Sequence, residues 1–229
     1  MGTIRKIVRI CQEFGLFRKG MVIFMITYSL TSIGIMAAVI SFLGFILENV
    51  WLAFTKGYID NRNMTMPFLY GYGMAVISIY AIFGTPQAMV LAGKLPVKEH
   101  SVLIYFAAVF FTVSIGEIAL GYAVEKLCGF EYWNYTRLPL HVTKYTSVFT
   151  SLGFAAIITL FMRYAFDPIM NLIGRLDPLP AKIAAFVLTA VMTVDFMVSF
   201  YRMHKSHALN ERWRISLSDD DHRFIKTTI

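Results

Sequence analysis

A chain of 229 residues that is 57% hydrophobic and only 15% charged is too apolar for a soluble domain, where about a quarter of residues carry charge. Its mean hydropathy is +0.62, and its apolar runs are long enough to cross about 30 Å of hydrocarbon. The formal charge of +7 falls at run ends and in the tail, where Lys and Arg face headgroups, so it does not indicate nucleic-acid binding.

The pattern predicts an all-α integral membrane protein with about five transmembrane helices and an N-terminal amphipathic segment. The strands of an outer-membrane barrel would alternate apolar and polar, and no such alternation runs through the chain. Residues 1–20 are basic and place Ile4, Ile7, Val8, Cys11 and Phe14 at helical spacing, as a surface-lying segment does. The apolar run behind them is too long for a signal peptide, and Lys6 breaks the myristoylation pattern. Residues 21–203 form the multi-pass domain, and 204–229 a polar tail expected to be loosely structured.

The first span is expected over Met21 to Phe54, roughly 51 Å of helix, hence tilted or protruding. The second covers Pro67 to Leu91 and contains Pro86, which predicts a kink or an early end. The third runs from Val102 to Leu127, the fourth from Ser147 to Phe166, and the fifth from Pro180 to Tyr201. Between the last two lies a proline-punctuated interfacial stretch, "DPIMNLIGRLDPLP". Five spans put the termini on opposite sides. Lys and Arg divide 10 against 11 between those sides, or 10 against 5 without the tail. Only the second count favours a cytoplasmic N-terminus.

Charged side chains inside a span cost at least about 2.5–3.5 kcal/mol each and usually mark function or a buried pair. Glu48, Glu117, Glu125 and Asp195 all lie toward the ends of spans that open on the side opposite the N-terminus. The loops "TKGYIDNRNMT" and "CGFEYWNYTRLPLHVTKY" open there too. This predicts a polar pocket in one half of the membrane, with Arg62 as the partner of Glu48 or Glu117. Structural roles compete for each residue. Glu48 can be a helix-to-loop ion pair with Arg62, Glu117 a hydrogen bond to a neighbouring helix, and Glu125 and Asp195 interfacial acids. Trp133, Asn134 and Tyr135 can be an aromatic belt, and Gly71 and Gly73 can serve close helix packing. Two N-x-[ST] matches, at Asn63 and Asn134, and "DDDH" at 219–222 carry little weight. Cys11 and Cys128 match no metal or redox spacing. No metal site and no cofactor are expected, and no Walker A loop, H-E-x-x-H, G-x-S-x-G or C-x-x-C occurs.

An intramembrane Glu48, Asn61-Arg62 after a 12-residue gap, "P..YGYG", "GE...GYAVEKL", "WNYT" and "VDFMVS" follow in order. In order and spacing they resemble the ABC-transporter type IV (CmpB) family, to which animal transmembrane proteins of the 229 group are similar. The resemblance spans Ile40 to Arg202. It implies functional positions at Glu48, Asn61, Arg62, Tyr70, Gly71, Glu117, Glu125, Trp133, Asn134, Tyr135, Thr136 and Asp195, with Asn49 beside them. Three departures stand out: Asn63 follows Arg62 where the family often has Gly, the loop to Tyr70 is shorter with one Pro instead of two, and Asn134 replaces an acid.

The family implies a permease component in the lipid bilayer, with the plasma (inner) membrane of a bacterium as the expected location and a separate ATPase subunit or a homo-oligomer as partner. The first functional expectation is transport of a small polar solute or ion, with protonation of a Glu as the switch. The alternative is an intramembrane enzyme acting on a lipid or isoprenoid. There Glu48 or Glu117 would be the catalytic candidate, Glu117 for acid–base work, and Arg62 would hold a headgroup phosphate. A helper subunit without chemistry of its own is the third.

Overall fold

The computed structural model describes residues 28–91, 95–96, 101–217 and 227–228. The amphipathic segment 1–20, the start of the first span and "DDDH" at 219–222 lie outside the described residues.

Helix α1, Leu30–Lys56, begins where the Ser29 hydroxyl accepts the Ser32 N–H at 3.1 Å, satisfying a donor that a helix start leaves free. It ends at Gly57, whose φ of 70° is the left-handed stop that glycine adopts without strain. β1, Tyr58–Asp60, follows. Helix α2, Tyr70–Phe83, has 14 residues, about 21 Å, short of the hydrocarbon thickness. Gly84 (φ 72°) and a 3-10 turn at Pro86–Ala88 end it, so the early stop expected at Pro86 comes just before it. A short hairpin, β2 (Val90–Leu91) and β3 (Leu95–Pro96), leads to α3, Ser101–Cys128. The next hairpin is β4 (His141–Thr143) and β5 (Thr146–Ser147). Helix α4, Val148–Tyr164, and α5, Phe166–Ile173, meet at a 50° bend. Helix α6, Pro178–Ser206, closes the set.

Among the described residues three helices, α1, α3 and α6, are long and apolar enough to span a membrane, and the bent α4–α5 pair makes a fourth span if it crosses as one. Of the five spans expected, three to four are therefore supported among the described residues; α2 falls short, because Gly84 and Pro86 take the chain out of helix.

The packing divides in two. α1 lies mainly against α2 and α6, and α3 mainly against α4. The first contact depends on a missing side chain. A Cβ on Gly73 would sit 2.4 Å from the Ala37 carbonyl oxygen of α1, so only glycine permits this approach. Gly71 has open space around it, so the expected packing role belongs to Gly73 alone. An apolar cluster including Met36, Ile40, Tyr80, Tyr105, Val109, Met162 and Phe166 joins both groups. It lies toward the N-terminal ends of α1 and α3, and the Tyr80 ring packs tilted against Phe166 at a 4.6 Å centroid distance.

The tail is not loose throughout. β6, Arg214–Ser216, pairs antiparallel with β1 in the register Tyr58↔Ser216, Ile59↔Ile215 and Asp60↔Arg214, and β7, Thr227–Thr228, adds to its other edge. Arg214 also lies over the Tyr58 ring at 4.2 Å.

Candidate functional site

The polar residues gather at the end opposite the apolar cluster. Glu48, two turns before the end of α1, receives Arg62 Nη2 at 2.9 Å on one oxygen and the Tyr72 hydroxyl on the other. The side chains of Arg62 and Glu48 are only 19% and 23% exposed. Asp60 adds a second carboxylate 3.6 Å from Arg62 Nη1 and accepts the Arg62 backbone N–H at 2.7 Å. Burial alone would lower the Arg62 value. The Glu48 carboxylate, helped by Asp60, more than offsets it and holds the guanidinium charged.

The loop geometry behind this is specific. Arg62 and Asn63 both have positive φ, 46° and 64°, a region that Asn tolerates better than most residues and Gly best. That explains how Asn63 stands where the resembled family often carries Gly. Asn63 Nδ2 also donates to the Tyr132 hydroxyl at 2.8 Å, a tie that Gly would lack.

Three residues expected in the pocket act as scaffold. Asn49 accepts the Asp60 N–H at 2.8 Å. Asn61, 2% exposed, donates to the Met64 and Asn210 carbonyls at 2.8 and 2.9 Å and accepts the Arg212 N–H at 3.0 Å. Asp195 accepts the backbone N–H groups of Thr65, at 3.0 Å, and Met66, at 2.9 Å, so this α6 carboxylate pins the loop to the bundle. Tyr70 packs its ring on Phe196 at 5.6 Å and makes no hydrogen bond to Glu48; the tyrosine on Glu48 is Tyr72.

The opposite wall belongs to α3 and α4. Glu117 Oε2 accepts the Thr146 hydroxyl at 2.6 Å and the Ser151 hydroxyl at 3.0 Å. Its Oε1 has no hydrogen-bond partner among the described residues. Arg62 is thus the partner of Glu48, not of Glu117. Glu125 stands apart, held by Lys144 at 2.7 Å and by the Tyr145 hydroxyl at 2.7 Å. Lys144 also reaches Glu131 at 2.9 Å. Those two hydrogen bonds raise the Lys144 value, and the bond from Lys144, then that from Asn134, lowers Glu131.

The "WNYT" stretch is a folded turn. Trp133 Nε1 donates to the Tyr145 carbonyl at 2.8 Å, and Asn134 Oδ1 accepts the Thr136 N–H at 2.9 Å. That turn delivers Tyr135 to the space between the walls. Burial, then the Glu117 and Glu48 carboxylates, push its hydroxyl well above the ordinary tyrosine value. No hydrogen-bond partner for that hydroxyl occurs among the described residues. Arg62 Nε, a buried donor, also lacks an acceptor.

Sequence reading missed Tyr72, Asp60, Tyr132, Thr146, Ser151 and Lys144. For Asp60 the signal was present, since it heads the same "DNR" run as Arg62. Isolated hydroxyls such as Thr146 and Ser151 give no pattern by themselves.

The geometry is that of a multi-helix membrane protein with a polar layer between two helix groups. Residues 35–200 match the family described as "Putative ABC-transporter type IV". The match covers most of the chain, which therefore belongs to that family. No curated protein and no solved structure matches the chain.

Proposed function

We propose that the layer between the two helix groups binds a small polar solute or cation on its way across the membrane. The observation that supports it is a set of unused polar groups with complementary roles. Arg62 Nε–H is a charged donor, Tyr135 a hydroxyl of either sense, and Glu117 Oε1 an open acceptor. A buried donor without an acceptor costs about 1–3 kcal/mol, a penalty that a bound polar solute carrying an acceptor would relieve and a bare cation would not. Glu48 is already neutralised by Arg62, whereas Glu117 has only hydroxyl donors, so Glu117 is the group that would take a cation or a proton.

The two-group packing suits this reading, because intramembrane substrate sites of transporters lie between bundles that move against each other. Membership of an ABC-transporter family supports a separate ATPase subunit as the energy source, with a second copy of the chain as the alternative partner. It also supports residence in a bacterial plasma (inner) membrane. Purification from native membranes in mild detergent tests the partner: a stoichiometric ATPase is the expected companion.

The transport reading is tested in proteoliposomes holding the chain with its co-purified companion and ATP, with reporters for protons, sodium, potassium and a panel of small amines. At least one flux should appear with the wild type and disappear with Glu117→Gln. Glu48→Gln should weaken it by disordering Arg62. Flux that neither substitution alters would overturn the proposal.

A further inference from the structure

A second feature lies outside this layer, on the flank of α6. A groove of about 450 Å³ runs between α6 and the Thr65–Met66 loop segment, with Arg212 at its edge. Its floor is Val191, Val194 and Val198, at spacings of three and four, so they share one helix face. Val194 is 61% exposed, which water would penalise and acyl chains would not. Arg202 continues the same face one turn beyond Val198, near the helix end.

The dimensions fit one leaflet. Arg202 lies eleven positions beyond Val191, about 16 Å along a helix axis, roughly half of a 30 Å hydrocarbon core. With Arg202, near the end of α6, at the interface, a groove of this length would reach about mid-depth. Among the described residues, neither the Arg202 nor the Arg212 side chain has an ion-pair partner, although Arg214 nearby is paired with Glu211 at 2.6 Å. The carboxylate in the groove, Asp195, is engaged by the Thr65 and Met66 amides, so its charge is compensated in place.

We infer that this groove is a site for one anionic phospholipid, its phosphate on Arg202 and Arg212 and one acyl chain along the valine face. Arginine suits this task because its planar donors match phosphate oxygens in pairs. The site is separate from the solute layer: it uses the outer face of α6 and none of Glu48, Arg62, Tyr135 or Glu117.

The test uses the full chain in nanodiscs of phosphatidylcholine with or without phosphatidylglycerol. Thermal unfolding is read beside mass spectrometry of lipids retained after detergent extraction. Phosphatidylglycerol should raise Tm above that in phosphatidylcholine alone and be retained at about one molecule per chain. With Arg202→Gln plus Arg212→Gln, the preference for phosphatidylglycerol should fall roughly 10- to 30-fold, since a basic residue at an anionic surface contributes about five-fold, while Tm in pure phosphatidylcholine stays near wild type. Val194→Trp, which fills the groove and keeps both arginines, should lose the retained lipid too. Equal Tm in both membranes, or retention unchanged in both variants, would overturn the inference. So would an equal Tm rise from inorganic phosphate in phosphatidylcholine discs, which would assign the arginines to a free anion.

Discussion

Removing the Arg62 guanidinium should expose how far the polar layer depends on one ion pair. Truncating one partner of a fully buried pair costs about 3–5 kcal/mol, whereas a fully exposed pair is worth about 0–1 kcal/mol. The Arg62–Glu48 pair is 19% and 23% exposed at 2.9 Å, much nearer the buried limit. Two features pull the value down: Tyr72 would still donate to Glu48, and loss of Arg62 also relieves an orphaned Nε. Arg62→Ala should therefore cost about 2 kcal/mol, and Glu48→Gln about 1 kcal/mol. The double variant should cost no more than the arginine change alone. The assay is reversible unfolding in mixed detergent–SDS micelles, followed by helical circular dichroism for all four corners of the cycle. Additive costs, within about 0.5 kcal/mol, would show that the two residues act independently and refute the reasoning.

Gly73→Ala should destabilise by about 1–3 kcal/mol through overpacking against α1, because the new methyl would meet the Ala37 carbonyl at 2.4 Å. Gly71→Ala, with open space around it, should stay within about 0.5 kcal/mol in the same unfolding assay. Asp195→Ala leaves the Thr65 and Met66 N–H groups without their acceptor; hydrogen exchange at 64–66 should accelerate, with a stability loss of about 2 kcal/mol. The 129–147 loop should loosen in acid. Glu131 is held below its ordinary value by Lys144 and then Asn134, so its contribution is complete above the ordinary carboxylate range, near about 4.3. It disappears as pH falls through the depressed folded value. Fluorescence of Trp133, in a variant with Trp51 and Trp213 replaced by Phe, should change with a midpoint below that range; a midpoint at or above it contradicts the assignment.

Much of the architecture was legible because membrane insertion is governed by length and hydropathy. The bounds of α3 and α6 fall within a few residues of their apolar runs. α2 was misjudged because hydropathy counts side chains and ignores backbone: the run to Leu91 stays apolar, but Gly84 and Pro86 take the chain out of helix. The Glu48–Arg62 pair was readable as a costly acid with a nearby loop cation. Its exclusivity was not, since only the fold decides that Glu117 faces Thr146 and Ser151 instead. Asp195 and Asn61 were read as pocket residues because sequence marks a polar residue as expensive without saying what it satisfies. Here both satisfy backbone groups. Tyr70 and Tyr72 differ by two positions, which on a helix turns them to nearly opposite faces, and the choice between them needs the helix's rotation about its axis.

The division of the helices into two groups has a mechanical consequence. The apolar cluster near the start of α1 and α3 fastens both groups at one end, with large interlocked side chains such as Tyr80, Tyr105 and Phe166. At the other end they are joined by slender polar links: Asn63 to Tyr132 at 2.8 Å, and His204 and His207 on the last carbonyls of α3. A body clamped by the cluster at one end and by these links and the Tyr72–Phe154 ring contact at the other would, if the groups part, open at the polar end like a clothes-peg. Because β6 and Asn61 bind the tail to the loop above Glu48, Arg62 belongs to the α1 and α6 group, and Glu117 and Tyr135 to the other.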